Sequence, residues 1–405
     1  MKSERDNLFS YYKESNFLRF KQFYLERDIL RIAYTLFDAE KKLKSEGSID
    51  NIIIPISKQT YKKIDVRKVE KILNELFLLI LLEDIDIKLK EVDDINHRVT
   101  KNISFPVKEG IILFSGGVDS YAGIKVSENK YNNLLGLFVA HNDQPRIIKI
   151  VEQIKKEIKT EIRTLYAPGM GATGYSQFRG FLYILAGGVF LSLCKTDKIL
   201  ITECGPTMYQ PMFSPFDSIT YTTHPYIMKA AKEILEILLG YKIKLIVPFE
   251  NLTKAEIISN SGIKDFSNTH SCISQRFGDH DGTCFGCVIK RLACVVVNVK
   301  DVDYNKDVFK ENENQDNLMN LLSFCYDMIK NYNKMHYFQI DKIEEFDKHD
   351  LFKRYALDNL AGLMLEIKNS NPLYKKFRIE GKILKQRISD VRDNILKPNF
   401  NNCIN

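Results

Sequence analysis

Ile111-Ile112-Leu113-Phe114-Ser115-Gly116-Gly117-Val118-Asp119-Ser120 joins four apolar residues to a glycine turn that carries two hydroxyls and one carboxylate. The apolar run reads as a buried strand that stops where the glycines begin. Gly116 and Gly117 are free to take positive φ and to bring backbone N–H groups close to an anion. A helix starting near Ser120 would add its own N-terminal N–H groups and its dipole. Ser115 and Ser120 supply hydroxyl donors. Asp119 would repel a bare phosphate, so its presence predicts a Mg²⁺ bridging to pyrophosphate. The Gly-x-x-x-x-Gly-Lys-Ser/Thr spacing is absent, so this is not a Walker A loop.

Downstream of this stretch the pattern alternates between strand and helix. Strands are expected at Leu134–Ala140, Thr160–Tyr166, Lys198–Thr202 and Ile243–Val247, with helices over Arg146–Ile158 and Ser176–Cys194 between them. Such alternation predicts an α/β fold, a doubly wound parallel sheet with helices on both faces. Ligands in these folds sit at the carboxyl ends of strands, at the switch point. The Ser-Gly-Gly loop, His141, Arg179 and Glu203 all fall at or near such ends.

The flanks differ in character. Residues 1–108 read as a separate α+β N-terminal domain: a short strand Asn51–Ile56 with Pro55 at an edge, a helix Val66–Leu82 and a half-buried strand Asp84–Val92. It carries no catalytic constellation and is expected to pack on the main domain or form a dimer. Residues 109–300 make the central domain. Residues 301–405 read as a helical, charged segment, with amphipathic helices over Leu318–Tyr332 and Leu351–Ile367 and a basic tail Ile379–Ile395 read as a solvated face.

At 405 residues the chain can bury a large core. Its 44% hydrophobic and 27% charged content is ordinary for a globular protein. The net charge of +7 suits an anionic substrate or a tRNA equally and decides neither. Gly180 to Cys194, the longest apolar run, is short for a membrane span and reads as a buried helix. The N-terminal residues lack the apolar stretch of a signal peptide. The expectation is a cytoplasmic protein with no membrane partner and with oligomerisation left open.

Eight cysteines in such a chain point to metal where they cluster, rather than to disulfides. Cys284-x-x-Cys287 has the spacing of a zinc knuckle, and Cys272 is close enough to join it. A tetrahedral Zn²⁺ needs a fourth ligand, which His280 or Asp281 can supply. His280 is favoured, imidazole being the commoner zinc ligand. Cys194, Cys204, Cys294, Cys325 and Cys403 have no partner pattern and read as packed thiols.

Ser115–Ser120 resembles the PP-loop, S-G-G-x-D-S, of the ATP pyrophosphatase superfamily, whose members cleave ATP between the α and β phosphates. Leu252-Thr253-Lys254-Ala255-Glu256-Ile257 follows Pro248, and the cysteines come after it. This order, over roughly residues 110–295, is similar to 7-cyano-7-deazaguanine synthase (QueC). Two departures stand out. That family closes its zinc site with four cysteines, whereas Asp281 stands where the second of them belongs. Its Tyr-Pro-Asp-Cys-Arg-Pro segment is replaced by Glu203-Cys204-Gly205-Pro206 and Thr222-Thr223-His224-Pro225. The pattern looks more like the divergent QueC-like proteins of bacterial anti-phage gene sets.

The resemblance implies an ATP-dependent ligase. A 7-carboxy-7-deazaguanine-like acid would be activated as an acyl adenylate, and an amine would displace AMP to form an amide. The acceptor would be a small protein from the same gene set. In the nitrile-forming alternative it would be ammonia. Ser115, Gly116, Gly117, Val118, Asp119 and Ser120 would hold ATP, with Asp119 anchoring Mg²⁺ and His141 lining the site. Lys254 would neutralise departing pyrophosphate, although a first-turn lysine in a Thr253–Glu256 capping box needs no such role. Arg179 would meet phosphate or the substrate acid, or else form a salt bridge. Glu203 and His224 would read the base or the amine. Cys272, His280, Cys284 and Cys287 would hold Zn²⁺. A tRNA thiolase and a non-catalytic nucleotide-binding subunit of a defence complex are the competing classes.

Overall fold

The computed structural model describes residues 18, 21–93, 103–141, 145–167, 176–209, 211, 222–273, 280–310, 315–330, 348–367, 373, 376–377, 380–393 and 396–404. Five strands form an all-parallel sheet: β3 (Gly110–Phe114), β4 (Leu134–His141), β5 (Glu161–Ala167), β6 (Lys198–Leu200) and β7 (Lys244–Ile246), in the order β5-β4-β3-β6-β7. Ile111, Ile112, Leu135, Leu137, Ile199, Leu200, Leu245 and Ile246 are all buried, as expected where helices cover both faces of a sheet. The chain builds outward from β3 to β5, then returns to β6 on the other side of β3. The switch point therefore lies between β3 and β6, and the Ser115–Ser120 loop leaves the carboxyl end of β3 beside it.

α4 (Val118–Ser127) and α5 (Pro145–Ile154) connect strands laid down in one direction, and α6 (Arg179–Cys194) and α8 (Pro225–Leu239) lie on the connections that run back, so the right-handed rule for crossovers assigns the two pairs to opposite faces. A short α7 (Gly205–Tyr209) follows β6. α9 (Lys254–Ser261) packs beside α4, and α10 (Phe285–Val297) beside α9. The helix expected over Ser176–Cys194 begins three residues later, because Ser176–Phe178 forms a separate turn. The tail returns to the sheet: Cys403 bridges antiparallel to Ile246, covering the β7 edge.

The N-terminal module contains α1 (Tyr24–Glu46), β1 (Asn51–Ser57), α2 (Lys58–Tyr61), α3 (Val66–Leu81) and β2 (Asp86–Val92). β1 and β2 pair in parallel, Asn51 against Asp86 through Ser57 against Val92, with Pro55 tolerated because each strand of a pair is an edge. The sequence reading did not name α1, the longest helix among the described residues. It lies along α6, so the module is joined to the sheet domain by a helix–helix contact.

α11 (Asp316–Lys330), α12 (His349–Glu366) and α13 (Gly381–Asp393) cover α10 and α9. The basic tail is not simply a solvated face. Arg387 in α13 is buried, donating to Asp358 of α12 at 2.7 Å and to Glu256 of α9 at 2.7 Å. Arg354 of α12 pairs with the same Glu256. Among the described residues no helix is long and apolar enough to cross a membrane.

Candidate functional site

Gly116 takes φ +78°, the left-handed turn that ends β3, and its carbonyl accepts His270 N–H at 2.9 Å. Gly117 does not share this conformation. Its φ of −81° and ψ of 170° are extended, and it is the N-cap of α4. Of the two glycines, only Gly116 needs to lack a side chain on backbone grounds. The loop is braced internally. Ser120 Oγ donates to Gly117 O at 3.0 Å and lies 3.2 Å from Ser115 N and Ser115 Oγ, while Gly117 N donates to Ser115 Oγ at 3.3 Å. The N-terminus of α4 has no side-chain cap, so its first N–H groups are available to an anion.

Asp119 sits in the first turn of α4, mostly buried. Lys254 Nζ lies 2.5 Å from its Oδ1, and Cys204 N–H makes a long 3.4 Å contact to Oδ2. Lys254 is held there because α9 starts at Lys254 with a complete capping box: Thr253 Oγ1 accepts Glu256 N–H at 3.3 Å, and Glu256 accepts Thr253 N–H at 2.9 Å. The two readings of Lys254 are thus compatible, the cap fixing the backbone while the side chain faces the loop. Burial alone would lower the Lys254 ammonium, but Asp119, Cys204 and Glu203 outweigh it and hold it above its ordinary value.

Glu203 follows β6 and accepts Thr223 Oγ1–H at 2.6 Å. Burial pushes its carboxyl up. The hydrogen bond from Thr223 opposes this, Asp119 adds to it, and Lys254 and Arg179 pull back. Arg179 therefore lies within electrostatic reach of Glu203. It is the first residue of α6 and half-buried, and its side chain makes no hydrogen bond or ion pair among the described residues. His224, expected to read the base or the amine, has a structural task in the fold. It is the buried N-cap of α8, Nδ1 accepting Tyr226 N–H at 3.3 Å, and burial pushes it down to about 4. His141 is the last residue of β4, and its side chain lies outside the described residues.

The thiols of Cys272, Cys284 and Cys287 gather with the Asp281 carboxylate, all four buried and with one donor atom from each within 4.8 Å of the others. The set fits a metal ion such as zinc, since thiolates and a carboxylate are common zinc donors. His280 is corrected: it is not one of the four. Its Nε2 faces Thr269 O at 3.2 Å, its ring lies against His270, and burial pushes it down to about 4. Asp281 takes the fourth place because the turn directs its Oδ1 to Thr283 N–H at 3.0 Å and Cys284 N–H at 3.1 Å.

The knuckle also reaches the Ser115–Ser120 loop. Cys284 is the N-cap of α10, and Lys290, one turn into that helix, is wholly buried. Its Nζ pairs with Asp301 at 2.8 Å and donates to Phe266 O and Thr269 O at 3.2 Å each. Those carbonyls belong to the segment whose next residue, His270, holds Gly116. The sequence analysis gave Lys290 no role; its place three residues after Cys287, on the same helix face, was the available signal. No protein-family model and no curated protein matches the chain, so the site speaks through its own chemistry.

Proposed function

We propose that the chain uses ATP to activate a carboxylate as an acyl adenylate, releasing pyrophosphate, and transfers the acyl group to an amine with release of AMP. The observation that carries the reading is the convergence at the switch point of an uncapped helix N-terminus, the left-handed Gly116 and the Asp119–Lys254 pair, with Glu203 in electrostatic reach of both Lys254 and Arg179. Anion-holding backbone, with Lys254 paired to Asp119 and with Lys254 and Arg179 both in electrostatic reach of Glu203, suits a reaction that builds negative charge on departing pyrophosphate. The α4 N–H groups and the two serines would bind the β and γ phosphates. Lys254 would meet pyrophosphate, and Arg179 would hold the substrate acid opposite it. Asp119 would hold Mg²⁺, which would supply charge neutralisation. Glu203, brought near Asp119 and Lys254, would accept from the donor edge of a guanine-like base.

The acid of choice, by the motif resemblance, is a 7-carboxy-7-deazaguanine-like carboxylate, with a protein amine as acceptor. Zinc is the ion proposed for the knuckle. A thiolase would need a thiolate near the nucleotide. Cys204, whose N–H faces Asp119, is instead a thiol pushed up to about 12 by burial, its Sγ 2.9 Å from Thr207 Oγ1. The test is acid-dependent exchange of labelled pyrophosphate into ATP. Exchange with the carboxy-deazaguanine, lost in Asp119→Ala, is expected. A wild-type protein that neither exchanges nor releases pyrophosphate with that acid and an amine defeats the reading. Mass spectrometry of the products then separates amide on protein from free amide or nitrile.

A further inference from the structure

α6 carries Arg179 as its first residue, yet α6 has no cap of its own: Phe178 occupies the N-cap position without a side-chain acceptor. The turn that leads into α6 is held instead by the N-terminal module. Glu40 of α1 is about as buried as a residue can be, at 1% exposure. Its Oε2 accepts Ser176 Oγ–H at 2.6 Å and Phe178 N–H at 3.2 Å, and its Oε1 accepts Gln177 N–H at 2.8 Å. Lys44, one turn further along α1, pairs with Oε1 at 2.6 Å and balances the charge. A carboxylate 136 residues away in sequence from Ser176 thus fixes the turn that delivers Arg179.

The turn has little freedom on its other side. A Cβ on Gly180 would lie 1.4 Å from Thr222 O, so the start of α6 is pressed onto the backbone beside Thr223, the partner of Glu203. Further along, Glu26 of α1 accepts Ser192 Oγ–H at 2.9 Å, holding the far end of the same two helices in register. α1 is therefore anchored to α6 at both ends, and at the Arg179 end the anchor is a set of hydrogen bonds to a buried carboxylate.

We propose that Glu40 is a positioning residue for the Arg179 guanidinium, which makes the N-terminal module part of the anion-binding unit. The inference rests on the reading that Arg179 meets an anion of the substrate. Glu40→Gln keeps one acceptor oxygen and loses the other together with the charge. Loss of one such hydrogen bond is typically about 1 kcal/mol, which corresponds to roughly fivefold in an equilibrium constant.

The experiment measures inorganic pyrophosphate and the carboxy-deazaguanine by calorimetry on the full chain, for wild type, Glu40→Gln, Arg179→Ala and the double variant. Roughly fivefold weaker binding of one of these anions in Glu40→Gln, with no further loss when Glu40→Gln is added to Arg179→Ala, is the expected result. Equal losses in both backgrounds, or no loss, overturn the proposal, because a purely structural role would add to Arg179→Ala. If wild type binds neither anion, the reading of the site fails on its own. The positioning claim is then decided by the rate at which phenylglyoxal modifies Arg179, followed by peptide mass. A severalfold faster rate in Glu40→Gln upholds it and an unchanged rate ends it. Ser176→Ala, which removes a single bond to the carboxylate, gives a milder second variant should Glu40→Gln not fold, and the same cycle with Arg179→Ala is read from it.

Discussion

Replacing Asp281 and His280 in turn separates two descriptions of the knuckle. Zinc bonded to thiolates at about 2.3 Å in a tetrahedron sets sulfurs about 3.8 Å apart, the edge being about 1.63 times the bond. Cys272 Sγ and Cys284 Sγ are 3.8 Å apart, so these two thiols need not move to close on the ion. The Asp281 carboxylate is already oriented by two backbone N–H groups on Oδ1, which leaves Oδ2 for the metal. Losing even a supporting hydrogen bond around a metal costs about 10- to 100-fold in affinity, so losing the carboxylate ligand should cost at least that.

The assay is zinc content after dialysis against a chelator, with X-ray absorption on the wild type. Wild type and His280→Ala should retain stoichiometric zinc, and Asp281→Ala should lose most of it. The absorption spectrum should show sulfurs at about 2.3 Å and one oxygen at about 2.0 Å. Because binding energy at a structural site is folding energy, stripping the metal should also lower the melting temperature. An Asp281→Ala protein that keeps its zinc, beside a His280→Ala protein that loses it, would falsify the carboxylate assignment.

Lys254→Met strands Asp119 in a site where the two side chains are 14% and 11% exposed. An unpaired buried charge costs about 3–5 kcal/mol, and the residual solvent access favours the lower end. Denaturant unfolding should show that loss, and Asp119→Asn added to Lys254→Met should recover most of it while pyrophosphate exchange stays absent; a double variant no more stable than the single one refutes the pairing. Gly116→Ala puts a Cβ at φ +78°, which costs about 1–2 kcal/mol and should lower both melting temperature and ATP affinity. If calorimetry finds ATP affinity unchanged, the loop is not the phosphate cradle. His224 has its folded value pushed from about 6.5 to about 4 by burial. Its depressed value means that this stability is whole above about pH 6.5 and is lost as pH falls to about 4, up to about 3 kcal/mol in all. The NMR signal of its ring should not titrate between pH 7 and 5; a midpoint near 6.5 contradicts the buried cap.

Parallel strands covered on both faces are near-continuous apolar runs, and Ile111–Phe114, Leu134–Ala140 and Thr160–Tyr166 were legible for that reason. The Thr253–Glu256 capping box and the Cys284-x-x-Cys287 spacing were equally legible, because each is a local device whose partners lie within one helical turn. The sequence by itself thus determined an α/β protein with a glycine loop at the end of a strand and a cluster of thiols beyond the sheet. It left undecided which of His280 and Asp281 faces those thiols, since adjacent residues point apart and only the turn chooses. It gave no sign of a direct ion pair between Lys254 and Asp119 across 135 residues, of Glu40 holding the turn before α6 across 136, or of Arg387 in a charged tail buried against Glu256 across 131. A charged side chain read alone looks like solvated surface. Only the folded chain supplies the opposite charge or the open N–H groups that make its burial favourable, and that pairing leaves no periodic trace in the sequence.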